Sequence, residues 1–145
     1  MRQLKITKQI TERDTDSLNY YLNEVNSKPL LTIEEEETLP LLIKQGDDKA
    51  LTRFVEGNLR FVISVAKQYK YSGTSLCDLI NVGNEGLIVA AKRFDTTKGF
   101  KFISYGVWWI RQSILKYLSD NGNSIRLPAN KIYVLNRVKS VISSL

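Results

Sequence analysis

At 145 residues the chain has room for one domain and a short arm, which excludes a large multidomain enzyme. Hydrophobic residues make up 43% and charged residues 25%, enough to bury a core and outside the disordered range. With no histidine and a single cysteine, Cys77, it can form no Ser-His or Cys-His pair, internal disulfide or cysteine-rich zinc site. No signal-peptide stretch opens the chain and no run reaches transmembrane length, so a soluble, cytoplasmic protein is expected, without cofactor or metal.

Residues 1–15 are polar and aperiodic and read as a flexible tail. Leu18, Tyr21, Leu22 and Val25 then give a short amphipathic helix ending near Asn26-Ser27-Lys28-Pro29. Thr32 with Glu35 makes a capping box, and Glu34 to Glu37 suit the positive end of the next helix. Pro40 is expected to kink or interrupt that helix before Gly46. Asp47 or Asp48 can cap a third helix reaching about Lys70. Leu51, Phe54, Val55, Leu59, Val62, Ala66 and Tyr69 line its inner face, with Lys49, Arg53, Glu56, Arg60 and Lys67 outside. Asn58 falls inside the apolar stripe, where it either bonds a neighbouring backbone group or serves a ligand.

A turn at residues 71–75 precedes a helix over 76–93, in which Gly83 and Gly86 imply close helix packing. Its opposite face mixes Asp78, Asn81 and Glu85 with Val82 and Val89, which suits a protein partner better than solvent alone. After the loop Asp95 to Gly99, a long helix is expected over 103–119. Pro128 opens a last helix with Ile132, Leu135, Val138 and Ile142 at core spacing. Strand signals are scarce, and the chain reads as all-α.

Charge and aromatic residues are unevenly spread. Residues 1–57 hold 8 basic and 11 acidic residues, whereas residues 58–145 hold 13 basic and 4 acidic. A basic segment attracts polyanions, although charge alone fits a solvated surface equally well. Six of the 14 aromatic residues fall within 94–109: Phe94, Phe100, Phe102, Tyr105, Trp108 and Trp109. On the helix from 103, Val107, Ile110, Ile114, Tyr117 and Leu118 form one side, and Tyr105, Trp108, Trp109, Gln112 and Lys116 the other. The second side is either a further core face or a ligand face. Lys92, Arg93, Lys98, Lys101, Arg111, Lys116, Arg126 and Lys131 surround it, with only Asp95 and Asp120 opposing them. Rings interleaved with cations suit single-stranded nucleic acid, because bases stack on the rings while cations follow the phosphates.

The run from Phe100 to Ile114, Phe-Lys-Phe-Ile-Ser-Tyr-Gly-Val-Trp-Trp-Ile-Arg-Gln-Ser-Ile, resembles region 2 of bacterial RNA polymerase sigma factors of the sigma-70 family. Asn58-Leu59-Arg60-Phe61-Val62-Ile63-Ser64-Val65-Ala66, the run Asp78 to Leu87, and Ile125-Arg126-Leu127-Pro128 follow in that family's order and spacing. The likeness covers roughly residues 16–145, and residues 1–8 are similar to primary-type members of the Bacteroidetes lineage. It implies a helical bundle of the region 2 type with an N-terminal helical arm. Residues 16–46 would be a region 1.2-like arm, 47–122 the helices that bind polymerase core and the minus-ten element, and 123–145 a truncated start of region 3. No counterpart of the helix-turn-helix that reads the minus-thirty-five element in complete members is read within residues 1–145, as expected either of a piece of a longer chain or of a shortened protein.

The resemblance also implies roles. Trp108 and Trp109 would form a wedge at the upstream edge of the melted bubble, and Tyr105, Phe94, Lys98 and Phe100 would surround a flipped adenine. Phe102 and Ser104 would help hold the melted strand, with Lys101, Lys116 and Arg126 among the surrounding cations. Gln112 would read the first base pair, and Asn58, with Phe61 nearby, would form the pocket for the last base. Tyr21 and Leu22 would meet the strand just downstream. Asp78, Asn81, Val82, Asn84, Glu85 and Ile88 would contact the clamp helices of the largest core subunit. Partners would be polymerase core, the non-template strand of promoter DNA and an anti-sigma factor, with no membrane. Asn81-Val82, Glu85, Phe61, Ile103, Leu115, Asn130 and Tyr133 depart from the family's usual residues, leaving outer-base preference and core affinity open. The alternative is a helical module that binds core or a regulator without capturing promoter DNA. An enzyme is not expected, since residues 58–145 offer only four dispersed carboxylates.

Overall fold

The computed structural model describes residues 9–70, 73–121 and 127–144. They form α1 (Gln9–Ser27), α2 (Ile33–Lys44), α3 (Asp48–Lys67), α4 (Leu76–Arg93), a short 3-10 turn (Thr96–Lys98), α5 (Phe102–Asn121) and α6 (Ala129–Ser144). No strand occurs among the described residues, in keeping with the all-α expectation. Helix α1 starts at Gln9 and so reaches into the stretch read as a polar tail.

Local chemistry accounts for the boundaries. The Thr32 hydroxyl accepts from the Glu35 N–H at 3.2 Å while the Glu35 carboxylate accepts from the Thr32 N–H at 2.9 Å, the reciprocal capping box. Of the two candidate aspartates, Asp47 caps α3, accepting from the Lys49 and Ala50 N–H groups at 2.9 and 3.3 Å. The expected break at Pro40 does not occur. Helix α2 runs through it, and Pro40 is among the fully buried side chains. Burial of an apolar ring offsets the one backbone bond a proline cannot donate.

The core lies where α3, α4 and α5 meet. Phe54 and Val62 from α3, Leu79, Ile80 and Leu87 from α4, and Phe102, Ile110 and Ile114 from α5 are at most 2% exposed. Helix α4 packs most extensively on α5 and then on α3. The two glycines make this possible. A β-carbon on Gly86 would stand 2.8 Å from the Trp109 carbonyl oxygen, and one on Gly83 would stand 2.7 Å from Val62 Cγ1. At Gly86 the α4 and α5 backbones approach more closely than a side chain would permit, and at Gly83 the Val62 side chain takes the space a side chain would need.

The outer face of α3 is not simply solvated. Arg53 donates from Nε and Nη2 to the two Glu35 carboxylate oxygens at 3.1 and 2.9 Å, and from Nη1 and Nη2 to the Pro29 and Leu30 carbonyls. Arg60 donates to the Asn26 and Lys28 carbonyls, and Lys28 pairs with Glu56 at 3.0 Å. Leu31 occupies the space a side chain at position 57 would take. The connector between α1 and α2 is thus strapped across α3.

Helix α6 departs from expectation. Leu135, Val138 and Ile142 are 42–65% exposed and no α6 residue is buried. Spacing identifies an apolar face; it does not supply the surface to cover it.

Candidate nucleic-acid interface

A chain of aromatic rings runs from the core to the surface. Phe54 meets Phe102 edge-on with centroids 4.6 Å apart, Phe102 meets Phe94 at 5.2 Å, Phe94 meets Tyr105 at 5.7 Å, and Tyr105 meets Trp109 at 6.2 Å. The Arg93 guanidinium, from the last turn of α4, lies over the Trp109 ring at 4.9 Å. Burial falls along this series. Phe102 and Phe94 are 1% and 5% exposed, whereas Tyr105 and Trp109 are half-buried.

One expected site residue lies deeper than its neighbours. Phe102, expected to hold a melted strand, is a core residue here, while Phe100, two positions earlier, is 68% exposed. Gly106, one turn along α5, admits the Phe102 ring; a β-carbon there would press on it at 3.3 Å. Phe94 is likewise buried. The exposed rings are Phe100 and Trp108, the latter 70% exposed, and the exposed side chains of Lys98, Lys101, Ser104, Gln112 and Lys116 accompany them.

The loop carrying Lys98 and Phe100 is held from both ends. Asp95 accepts from the Thr97 N–H at 3.2 Å and pairs with Lys44 of α2 at 2.8 Å. Those bonds, the lysine foremost, lower its carboxyl from 3.8 to about 2. Gly99 adopts a φ of +71°, a left-handed turn that reverses the chain toward Phe100. Across from this loop stands the first turn of α2. Ile33, Glu36 and Glu37 face Phe94, Phe100 and Lys101 around a cleft of about 230 Å³. Sequence reading missed the α2 side of this cleft, taking the acidic run for a solvated helix start. No local signal links residues more than fifty positions apart.

Asn58 is 6% exposed, and its Nδ2 donates to the Phe54 carbonyl at 2.8 Å, the local bond that makes an amide tolerable in an apolar stripe. Phe61 is half-buried beside the core. On α4, Asp78, Asn81 and Glu85 are exposed, Val82 is half-buried, and Ile88 and Val89 are each 38% exposed. Asn84 turns away from that stripe and donates its amide to the Tyr21 hydroxyl at 3.2 Å. Tyr21 and Leu22, both half-buried, pack α1 onto the bundle. Arg126 lies outside the described residues. Among the described residues no cluster of acidic, cysteine or histidine side chains could hold a metal ion, and no helix is long and apolar enough to cross a membrane.

A family model for Sigma-70 region 2 matches residues 54–124, and one for Sigma-70 factor, region 1.2, matches residues 16–49. The chain belongs to the sigma-70 family. It is 42% identical over 123 residues to RNA polymerase sigma factor SigA of a Bacillus species and 44% identical over 123 residues to RNA polymerase sigma factor SigA of Clostridium acetobutylicum. Each alignment covers 85% of this chain but only 33% and 32% of those proteins, so the chain spans about a third of their length. As a sigma-70 member, it carries the region 2 match over most of α3, all of α4 and α5, and hence the whole ring series. The region 1.2 match covers the later part of α1 and all of α2.

Proposed function

We propose that this chain acts in transcription initiation, binding RNA polymerase core and capturing the melted non-template strand of the promoter minus-ten element in the cytoplasm. The observation that carries this reading is the exposure of two rings, Trp108 and Phe100, together with that of the cations Lys98, Lys101 and Lys116, along α5 and the loop that leads into it.

Removing a base from its stack costs a few kcal/mol, and an aromatic platform recovers about 1–3 kcal/mol per stacked base. Trp108 is the free ring able to replace stacking at the edge of a bubble. Trp109, covered on one face by Arg93 and braced by Tyr105, supports it rather than offering a second open platform. Phe100 and Lys98 border the position for a flipped base. Phe94 and Phe102 act from beneath, holding Tyr105 and the loop in place. Gln112, one turn beyond Trp108 and exposed, can reach a base edge in the adjoining duplex. The exposed stripe Asp78, Asn81, Glu85, Ile88 and Val89 is the surface for the clamp helices of the core, with polar residues around an apolar centre.

Trp108→Ala tests the reading. Strand affinity should fall roughly tenfold or more while core binding and the unfolding midpoint stay near the parent's. If strand affinity is unchanged and core is still bound, the chain is an interaction module without promoter capture.

A further inference from the structure

Helix α2 is fastened to the bundle near each end by an ion pair, and the two pairs act on opposite walls of one cleft. Near its N-terminus, Glu35 accepts from Arg53 Nε and Nη2 while also closing the capping box with Thr32, so the arginine grips the turn that carries Ile33, Glu36 and Glu37. Near its C-terminus, Lys44 grips Asp95, which caps the 3-10 turn leading to Gly99 and Phe100. Both grips are short, 2.9 and 2.8 Å, and both are partly shielded, with side chains 27–44% exposed. Arg53 adds bonds to the Pro29 and Leu30 carbonyls, which fixes the approach into α2 as well as its first turn. Glu35 and Lys44 stand nine residues apart, about 13 Å along a helix, too far to act on each other directly. Helix α2, seated on the bundle through buried Pro40 and Ile43, is therefore a beam whose two end fastenings bear on the width of the cleft between Ile33, Glu36 and Glu37 and the Phe100–Lys101 loop.

We propose that Arg53 and Lys44 are positioning residues that gauge this cleft for the captured strand, an inference that rests on the strand-capture reading. Neither has to touch nucleic acid: Arg53 acts through Glu35, and Lys44 through Asp95. A guanidinium fork satisfies a carboxylate and two carbonyls at once, which a lysine cannot do, so position 53 requires arginine more strictly than position 44 requires lysine.

The test combines Arg53→Met, Lys44→Met and the double variant, with Arg53→Lys as a milder change should Arg53→Met unfold. Two readouts are taken. In a Cys77→Ser background, spin labels at the exposed positions Thr38→Cys and Lys98→Cys report the separation of α2 from the loop. In otherwise unaltered protein, anisotropy reports affinity for the single strand, and urea unfolding reports stability. Each single variant should widen the distance distribution and weaken strand binding at least about threefold. The double variant should bind little worse than the poorer single, because a beam freed at one end no longer gauges the cleft, while its stability losses add as they do for distant sites. Unchanged distances in both singles, or strand-binding losses that multiply fully in the double, would overturn the inference. Widened distances with undiminished strand affinity would also overturn it. A parent protein that does not prefer the specific strand defeats the strand-capture reading and, with it, the gauging role, leaving the distance measurement to report fastening alone.

Discussion

The Asn84 amide donates to the Tyr21 hydroxyl at 3.2 Å, joining the arm helix α1 to the helix that carries the proposed polymerase-binding stripe. The Asn84 Oδ1 atom is buried and has no partner, so the amide depends on this single tyrosine for orientation. Tyr21→Phe keeps the ring packing and removes only the acceptor. We expect a loss of about 0.5–1.5 kcal/mol in urea unfolding, with earlier hydrogen exchange in α1 than in α3. Equal stability in the two proteins would mean that the Asn84–Tyr21 bond adds nothing to the packing of Leu18, Leu22 and Val25 and the Arg60 bond to Asn26.

Phe100 and Phe102 should separate cleanly in mutagenesis. Phe102→Ala empties a site lined by Phe54 and Phe94 and should destabilise the fold by about 3–5 kcal/mol. Phe100→Ala should leave the unfolding midpoint nearly unchanged and weaken strand binding instead. The reverse pattern would contradict the burial of Phe102.

Gly86 should not tolerate alanine. Its β-carbon would meet Ser113 Oγ at 2.7 Å and the Trp109 carbonyl oxygen at 2.8 Å. The serine can rotate away; the backbone oxygen cannot, so α4 and α5 must part. The expected loss is about 1–3 kcal/mol by denaturant unfolding. The stabilisation that usually follows Gly→Ala within a helix would instead show that the two backbones are not in contact.

Acid titration provides a fourth check. The Lys44 ammonium and the Thr97 N–H favour ionised Asp95, so its folded value, about 2, lies below the ordinary 3.8. This contribution is complete above the ordinary value and is lost as pH falls toward the folded one. Glu35 is lowered too, chiefly by the Thr32 N–H and then by Arg53, and adds to the same acid-side slope. Lys44→Met should flatten part of the fall in urea midpoint between about pH 4 and pH 2 without removing it. An unaltered slope would show that the Lys44 contact does not persist in solution.

These features were unequally legible in the sequence. Helix α4 was read at its observed limits, and the Thr32–Glu35 box and a cap at Asp47 or Asp48 were visible because each depends on residues near one another in the chain, while Gly83 and Gly86 signalled close packing by their cost within a helix. The aromatic face of α5 followed from helical spacing. Which aromatic lies inside did not, because Phe100 and Phe102 straddle the start of α5 and no periodicity orders them. Arg53 and Arg60 had the spacing of solvated outer residues, and only the return of the arm across α3 turns them into straps. The acidic turn of α2 likewise became a cleft wall through tertiary packing. For α6 the spacing identified an apolar face, and no part of the described bundle covers it.

Strand capture by an exposed aromatic and basic surface is tested most directly by fluorescence anisotropy. A labelled non-template oligonucleotide carrying TATAAT would be compared with a scrambled strand and with the duplex, with the chain alone and with polymerase core present. The account predicts preference for the specific single strand over both others and a loss of affinity as salt rises. Equal affinity for all three, with and without core, would reduce the surface to a basic patch and contradict the proposed function.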